Sequence, residues 1–83
     1  MMKTAHPHTL DALRPGESGT ILALHTTADL RHRLAALGLR VGKRVRLLRR
    51  GRFAGPLHIR VGTTDLMLRV TDACCIQVQR AHG

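Results

Sequence analysis

The chain is almost without aromatic residues: Phe53 is its only one, and Trp and Tyr are absent. Single-strand nucleic-acid binders stack bases on aromatic platforms, and proline-rich peptides dock in aromatic-lined grooves, so both modes lack their material here. Cysteine is nearly as scarce. Cys74 and Cys75 are adjacent, and a bridge between neighbours closes no useful loop and strains the backbone, which excludes a disulfide scaffold. The five acidic residues include a single glutamate, Glu17. No carboxylate pair suited to general acid–base work stands out, and Ser18 sits in a Gly-rich turn without the context of a nucleophile elbow, so an enzyme is not expected. The Gly-rich pieces 15–19 and 51–55 carry no phosphate-loop Lys-Ser/Thr and read as turns. No apolar run approaches the roughly eighteen residues of a membrane span.

What is present is positive charge on an aliphatic background. Fourteen Lys and Arg against five Asp and Glu give a formal +9 in 83 residues. A chain of this length holds one core at most and buries only about 60% of the surface that its unfolded form exposes. Its partners are expected to be acidic. The adjacent thiols, and a start (residues 1–10) with no apolar stretch for a signal peptide, lead to the expectation of a cytoplasmic protein.

Organisation follows from periodicity. Residues 1–8 read as a flexible lead, 9–80 as the domain and 81–83 as a tail. Leu10 and Leu13 flank a single helical turn ended by Pro15 and Gly16, and residues 20–24 form a short buried strand. A helix follows: Thr26 with Asp29 gives a start like a capping box, Asp29 and Arg33 stand in ion-pair spacing, Leu30, Leu34 and Leu37 share a face, and Gly38 stops it as a left-handed cap. The remainder alternates with period two. Val45 and Leu47 oppose Arg44 and Arg46; Leu57, Ile59 and Val61 oppose His58 and Arg60; Leu66, Leu68 and Val70 oppose Met67 and Arg69; residues 71–73 turn; and Ile76 and Val78 oppose Cys75, Gln77 and Gln79. Five short strands and one helix after the first are most simply satisfied by a small curled sheet or barrel around an aliphatic core.

The outward face of the meander collects Arg44, Arg46, His58, Arg60 and Arg69, extended by Lys43, Arg49, Arg50 and Arg52. This is a docking surface for an acidic protein or for phosphates, although an ordinary solvated face made Arg-rich by genome composition reads equally well. No histidine or cysteine pair has a recognised metal-ligand spacing. Cys74 and Cys75 would point to opposite faces if extended, and His6 and His8 are the cheapest pair for an opportunistic site, so no metal site and no cofactor is assigned.

Taken in order, Leu10, Leu13, Gly16, Gly19, Ile21, Leu24, Leu30, Arg33-Leu34, Leu37-Gly38-Leu39, Gly42, Val45, Gly55-Pro56, Ile59, Val61, Leu66, Leu68-Arg69, Ala73, Ile76 and Val78 closely resemble the FeoA family over nearly the whole chain. That resemblance implies a mainly β fold, an SH3-like five-stranded barrel with one α-helix inserted after the first strand. It further implies a non-catalytic accessory of bacterial ferrous iron uptake, in protein contact with the cytoplasmic GTPase-bearing region of the FeoB transporter. The same module occurs at the C-terminal end of iron-dependent repressors, but these 83 residues contain no winged-helix half. The docking residues are expected on the helix, the loop after it and the basic face: Arg31, Leu34, Leu39, Arg44, Arg46, Arg60 and Arg69. The alternative is a small basic barrel that binds nucleic acid or responds to metal.

Overall fold

The structure is a computed structural model that describes residues 8–53 and 55–81. Six strands form one antiparallel sheet: β1 (His8–Thr9), β2 (Ser18–Leu24), β3 (Arg44–Arg50), β4 (Leu57–Val61), β5 (Thr64–Leu68) and β6 (Ile76–Arg80). Their spatial order is β1-β6-β2-β3-β4-β5. A 3₁₀ turn (Leu10–Ala12) follows β1, helix α1 (Ala28–Ala36) links β2 to β3, and a single helical turn α2 (Val70–Ala73) links β5 to β6. The count is six strands where the sequence suggests five. The extra one is a two-residue strand whose His8 and Thr9 pair with Val78 and Gln77, so His8 belongs to the sheet and not to the lead.

The core consists of fourteen aliphatic residues, and no polar or charged residue is buried among the described ones. Alternation puts them there. Val45 and Leu47, then Leu57, Ile59 and Val61, then Ile76 and Val78 point inward from their strands, and Leu10 and Leu13 close one end from the 3₁₀ turn. Leu66 and Val70 pack on the core only in part. The backbone leaves β5 after Leu68, so Val70 starts α2 and residues 71–73 continue it as helix instead of forming a plain turn. Ala73 thereby reaches the core, fully buried.

Two bulges bend the sheet. The β2–β6 register shifts between Ile21 and Ala23, and the β3–β4 register shifts between Leu47 and Arg49. An extra residue in one strand reverses which way its successors face. After the second bulge Arg49 stands opposite His58, on the outer face, and Arg50 stands opposite buried Leu57. Arg50 then reaches the end of the core and donates through Nη2 to the carbonyls of Asp11 (2.5 Å) and Leu13 (2.8 Å), tying down the 3₁₀ turn. Where β2 and β6 cross, a Cβ on Gly19 would stand 2.8 Å from the Gln79 carbonyl oxygen. Only glycine lets the two backbones approach so closely.

Helix α1 starts one residue later than its sequence pattern suggests. Thr27, not Thr26, is the N-cap, its hydroxyl accepting from the Leu30 amide at 3.2 Å. Asp29 and Arg33 do not pair: the ion pairs among the described residues lie elsewhere. The stop is as the sequence suggests. Gly38 adopts φ +99°, its amide donates to the Ala35 carbonyl (3.0 Å) and the Leu39 amide donates to the Leu34 carbonyl (2.9 Å). These two bonds are the Schellman motif, whose apolar contact here joins buried Leu34 and Leu39. Leu37, at the C-cap, is half exposed and not a core residue.

Space at Gly38 is open, since a Cβ there would meet only Val61 Cγ1 at 3.9 Å, so a substitution costs only backbone strain. Gly38→Ala is expected to lower stability by about 1 kcal/mol and Gly38→Asn by less. Leu39→Ala, which empties core volume, is expected to cost roughly 2–5 kcal/mol. Urea unfolding of the three variants checks both values.

Candidate functional site: a basic sheet face with an apolar border

The sheet places three of the expected arginines together. Thr20 stands opposite Arg44 and Ser18 opposite Arg46 across β2–β3, and Arg46 stands opposite Arg60 across β3–β4. Arg44, Arg46 and Arg60, with Gly62, line a shallow depression of about 300 Å³. A second depression of about 350 Å³ shares Arg44 and Gly62 with the first. It continues past Arg40 and Lys43 to Leu37. Leu37 is 47% exposed, and Val41, in the loop that follows, is 61% exposed. The result is a continuous basic surface with Leu37 at its apolar border, and Val41 exposed in the same α1–β3 loop. Arg40 is held there by its Nε–H, which donates to the Ala35 carbonyl at the helix C-terminus (3.3 Å).

One carboxylate sits on this face. Asp65 of β5 stands opposite Arg60, accepting from its Nε at 2.7 Å and its Nη2 at 3.3 Å, and lies 3.2 Å from His58 Nε2. Arg60 holds the Asp65 carboxyl below the usual carboxylate range; partial desolvation opposes the shift, and His58 adds to it. The same bonds raise the Arg60 guanidinium. Among the described residues neither Arg44 nor Arg46 has a carboxylate at ion-pair distance. The free charge of the face is therefore centred on β3.

The other expected site residues fall elsewhere. Leu34 and Leu39 are buried, at 4% and 0% exposure, and offer no surface to a partner. Helical spacing and a position after a glycine stop are equally the marks of core residues, and here the Schellman turn folds both inward. Arg69 is exposed, but as the N-cap of α2, beyond the end of β5. It lines a separate groove of about 530 Å³ with Gly55, Pro56, Val70 and Thr71 and is not part of the Arg44–Arg46–Arg60 cluster. Arg31 is exposed on α1. Sequence reasoning missed Leu37, Val41, Arg40 and Asp65. Asp65 was within reach, since period two places it on the same side as Met67, facing the arginines of β4.

Cys74 and Cys75 are not extended. Cys74 is αR at the end of α2, and both thiols turn toward the Thr71 carbonyl. His6 lies outside the described residues. No group of three His, Cys, Asp or Glu side chains among the described residues could hold a metal ion. No helix among them is long and apolar enough to cross a membrane.

A curled antiparallel sheet with one helix on the second connection and an arginine-rich outer face defines a small SH3-like barrel, and the comparisons agree. The FeoA domain model matches residues 8–80. The chain belongs to the FeoA family, whose name is tied to ferrous iron transport. Among solved structures it is similar to FeoA of Stenotrophomonas maltophilia in complex with zinc, described as a procaryotic SH3 domain protein and a candidate activating factor of ferrous iron transport. The identity is 29%, covering 86% of this chain and 88% of that one, with a TM-score of 0.72. It is also similar to FeoA of Chlorobium tepidum, with 25% identity over 90% of this chain and 71% of that one, at a TM-score of 0.86. A manganese-dependent transcriptional repressor is 26% identical, covering 95% of this chain but only 44% of that one, at a TM-score of 0.80. No curated protein sequence matches.

Asp65 gives the face a pH signature. A carboxyl depressed in the folded state contributes stability that is present above its ordinary value of 3.8 and is lost as pH falls through the folded value. Acid unfolding followed by circular dichroism is expected to show Asp65→Asn lacking that part of the loss below about pH 4. An unchanged acid limb in the variant would contradict the pairing.

Proposed function

We propose that this chain is a non-catalytic accessory of bacterial ferrous iron uptake, acting in the cytoplasm by contact with the GTPase-bearing region of a FeoB-like transporter. Membership of the FeoA family supports the pathway. The observation that carries the contact is the continuity of the Arg44–Arg46–Arg60 depression with the one bordered by Leu37, through shared Arg44 and Gly62. An apolar border beside unpaired arginines is what an acidic protein surface with a hydrophobic spot would complement. Charge steers the encounter, and burial of Leu37 and Val41 slows dissociation. The docking set is Leu37, Arg40, Val41, Lys43, Arg44 and Arg46, with Arg60 shared with Asp65 and Arg31 on the neighbouring helix.

Binding alone does not alter transport. The contact shifts a conformational equilibrium of the transporter only if affinity differs between its nucleotide states. The alternative, a nucleic-acid-binding barrel, is favoured by the same charge and predicts a steep loss of affinity with salt.

Calorimetry against the isolated cytoplasmic domain of the cognate transporter, loaded with GTP analogue, GDP or nothing, tests the reading beside a random DNA duplex. Saturable binding to the domain that persists at about 150 mM salt is expected. Arg44→Glu with Arg46→Glu is expected to weaken it by about tenfold or more, Leu37→Asp similarly, and Arg69→Glu hardly at all. Equal affinity in all three nucleotide states would remove the shift mechanism, and binding to DNA alone would move the face to nucleic acid.

A further inference from the structure

The two cysteines take no part in the surface described above. Cys74 ends the helical turn α2 with φ −71° and ψ −7°, and Cys75 follows it into β6. Cys74 Sγ lies 3.2 Å and Cys75 Sγ 3.6 Å from one acceptor, the carbonyl oxygen of Thr71. In an extended strand, successive side chains point to opposite faces. The helical backbone at Cys74 instead brings both sulfurs to one side of the turn. Cys74 is exposed and Cys75 half-buried, so the pair is reached without unfolding.

We infer that Cys74 and Cys75 form a two-sulfur site for a soft monovalent metal ion, with copper(I) as its representative. Thiolate sulfur selects soft ions, whereas zinc is held in proteins by three or four side chains. Among the described residues no third His, Cys, Asp or Glu completes such a group here. A two-coordinate monovalent ion needs none. On binding, two S–H bonds break and two Cu–S bonds form, each thiol releasing its proton to solvent, and no electron changes hands. Desolvation, then Cys75 and Asp11, push the Cys74 thiol up from its ordinary value. It therefore enters as a thiol that the ion deprotonates. The bound ion would clamp the turn that carries buried Ala73 and leads into Ile76.

Anaerobic titration of the whole chain with copper(I), held by a competing chromogenic chelator, tests this. The wild type is expected to withdraw one ion per chain and to melt at a higher temperature with the ion bound. Cys74→Ser, at an exposed position, is expected to weaken uptake by roughly a hundredfold while leaving the apoprotein's melting unchanged. Cys75→Ser should do the same to uptake, and the double variant His6→Ala with His8→Ala should retain it. No uptake by the wild type, full uptake by Cys74→Ser, or loss in the double histidine variant would each overturn the site.

Discussion

The whole molecule depends on filling a small core with aliphatic side chains alone. Aromatic side chains bury about 150–250 Å² each and often dominate cores; here the single one, Phe53, is 98% exposed. Short branched side chains fill space only if the backbone comes to them. The sheet therefore bends at two bulges, β2 and β6 approach to the limit that Gly19 permits, and a Schellman turn folds Leu34 and Leu39 inward from the end of α1. Removing any of these devices opens a void that no larger neighbour can occupy.

The same bending distributes the charge. Without the shift between Leu47 and Arg49, simple alternation would send Arg50 outward with Arg44 and Arg46. With it, Arg49 joins the outer face and Arg50 turns to bind the Asp11 and Leu13 carbonyls. One arginine of the basic run is thus a structural tether, and Arg60 is shared with Asp65. Among the described residues of this face the unpaired charge is Arg44 and Arg46 of β3, with Arg40 and Lys43 beside them and Leu37 at the border. Family membership and fold are established by the match over residues 8–80 and by the similar structures, whereas the contact with the transporter is our proposal.

Much of the fold was legible because one-sided burial writes a period of two: residues 45–47, 57–61 and 76–78 alternate as the sheet requires. Gly38 announced the helix stop. What escaped is what periodicity does not encode. A two-residue strand such as β1 has no pattern, and a bulge inside a run of arginines leaves none either. Val70 continues the alternation of β5 by sequence, yet its backbone has already turned helical. The site was legible in part. Arg44, Arg46 and Arg60 share a face because they alternate with core residues, whereas Leu34 and Leu39 carry the same signature whether they meet a partner or the core. Period two puts Asp65 on the side of His58 and Arg60, but its pairing with Arg60 in particular is a matter of register, and the convergence of Cys74 and Cys75 on Thr71 depends on backbone angles that spacing does not encode.

The central claim is that the partner is met by the exposed basic and apolar surface between α1 and β4. Amide chemical shifts of the isotopically labelled chain, followed as the unlabelled cytoplasmic domain of the cognate transporter is added, test it most directly. The account predicts changes concentrated at residues 37–46 and 60–64, with the Arg69 groove and residues 74–75 unmoved. Changes centred on the Arg69 groove or on β1 and β6, with residues 37–46 silent, would contradict it.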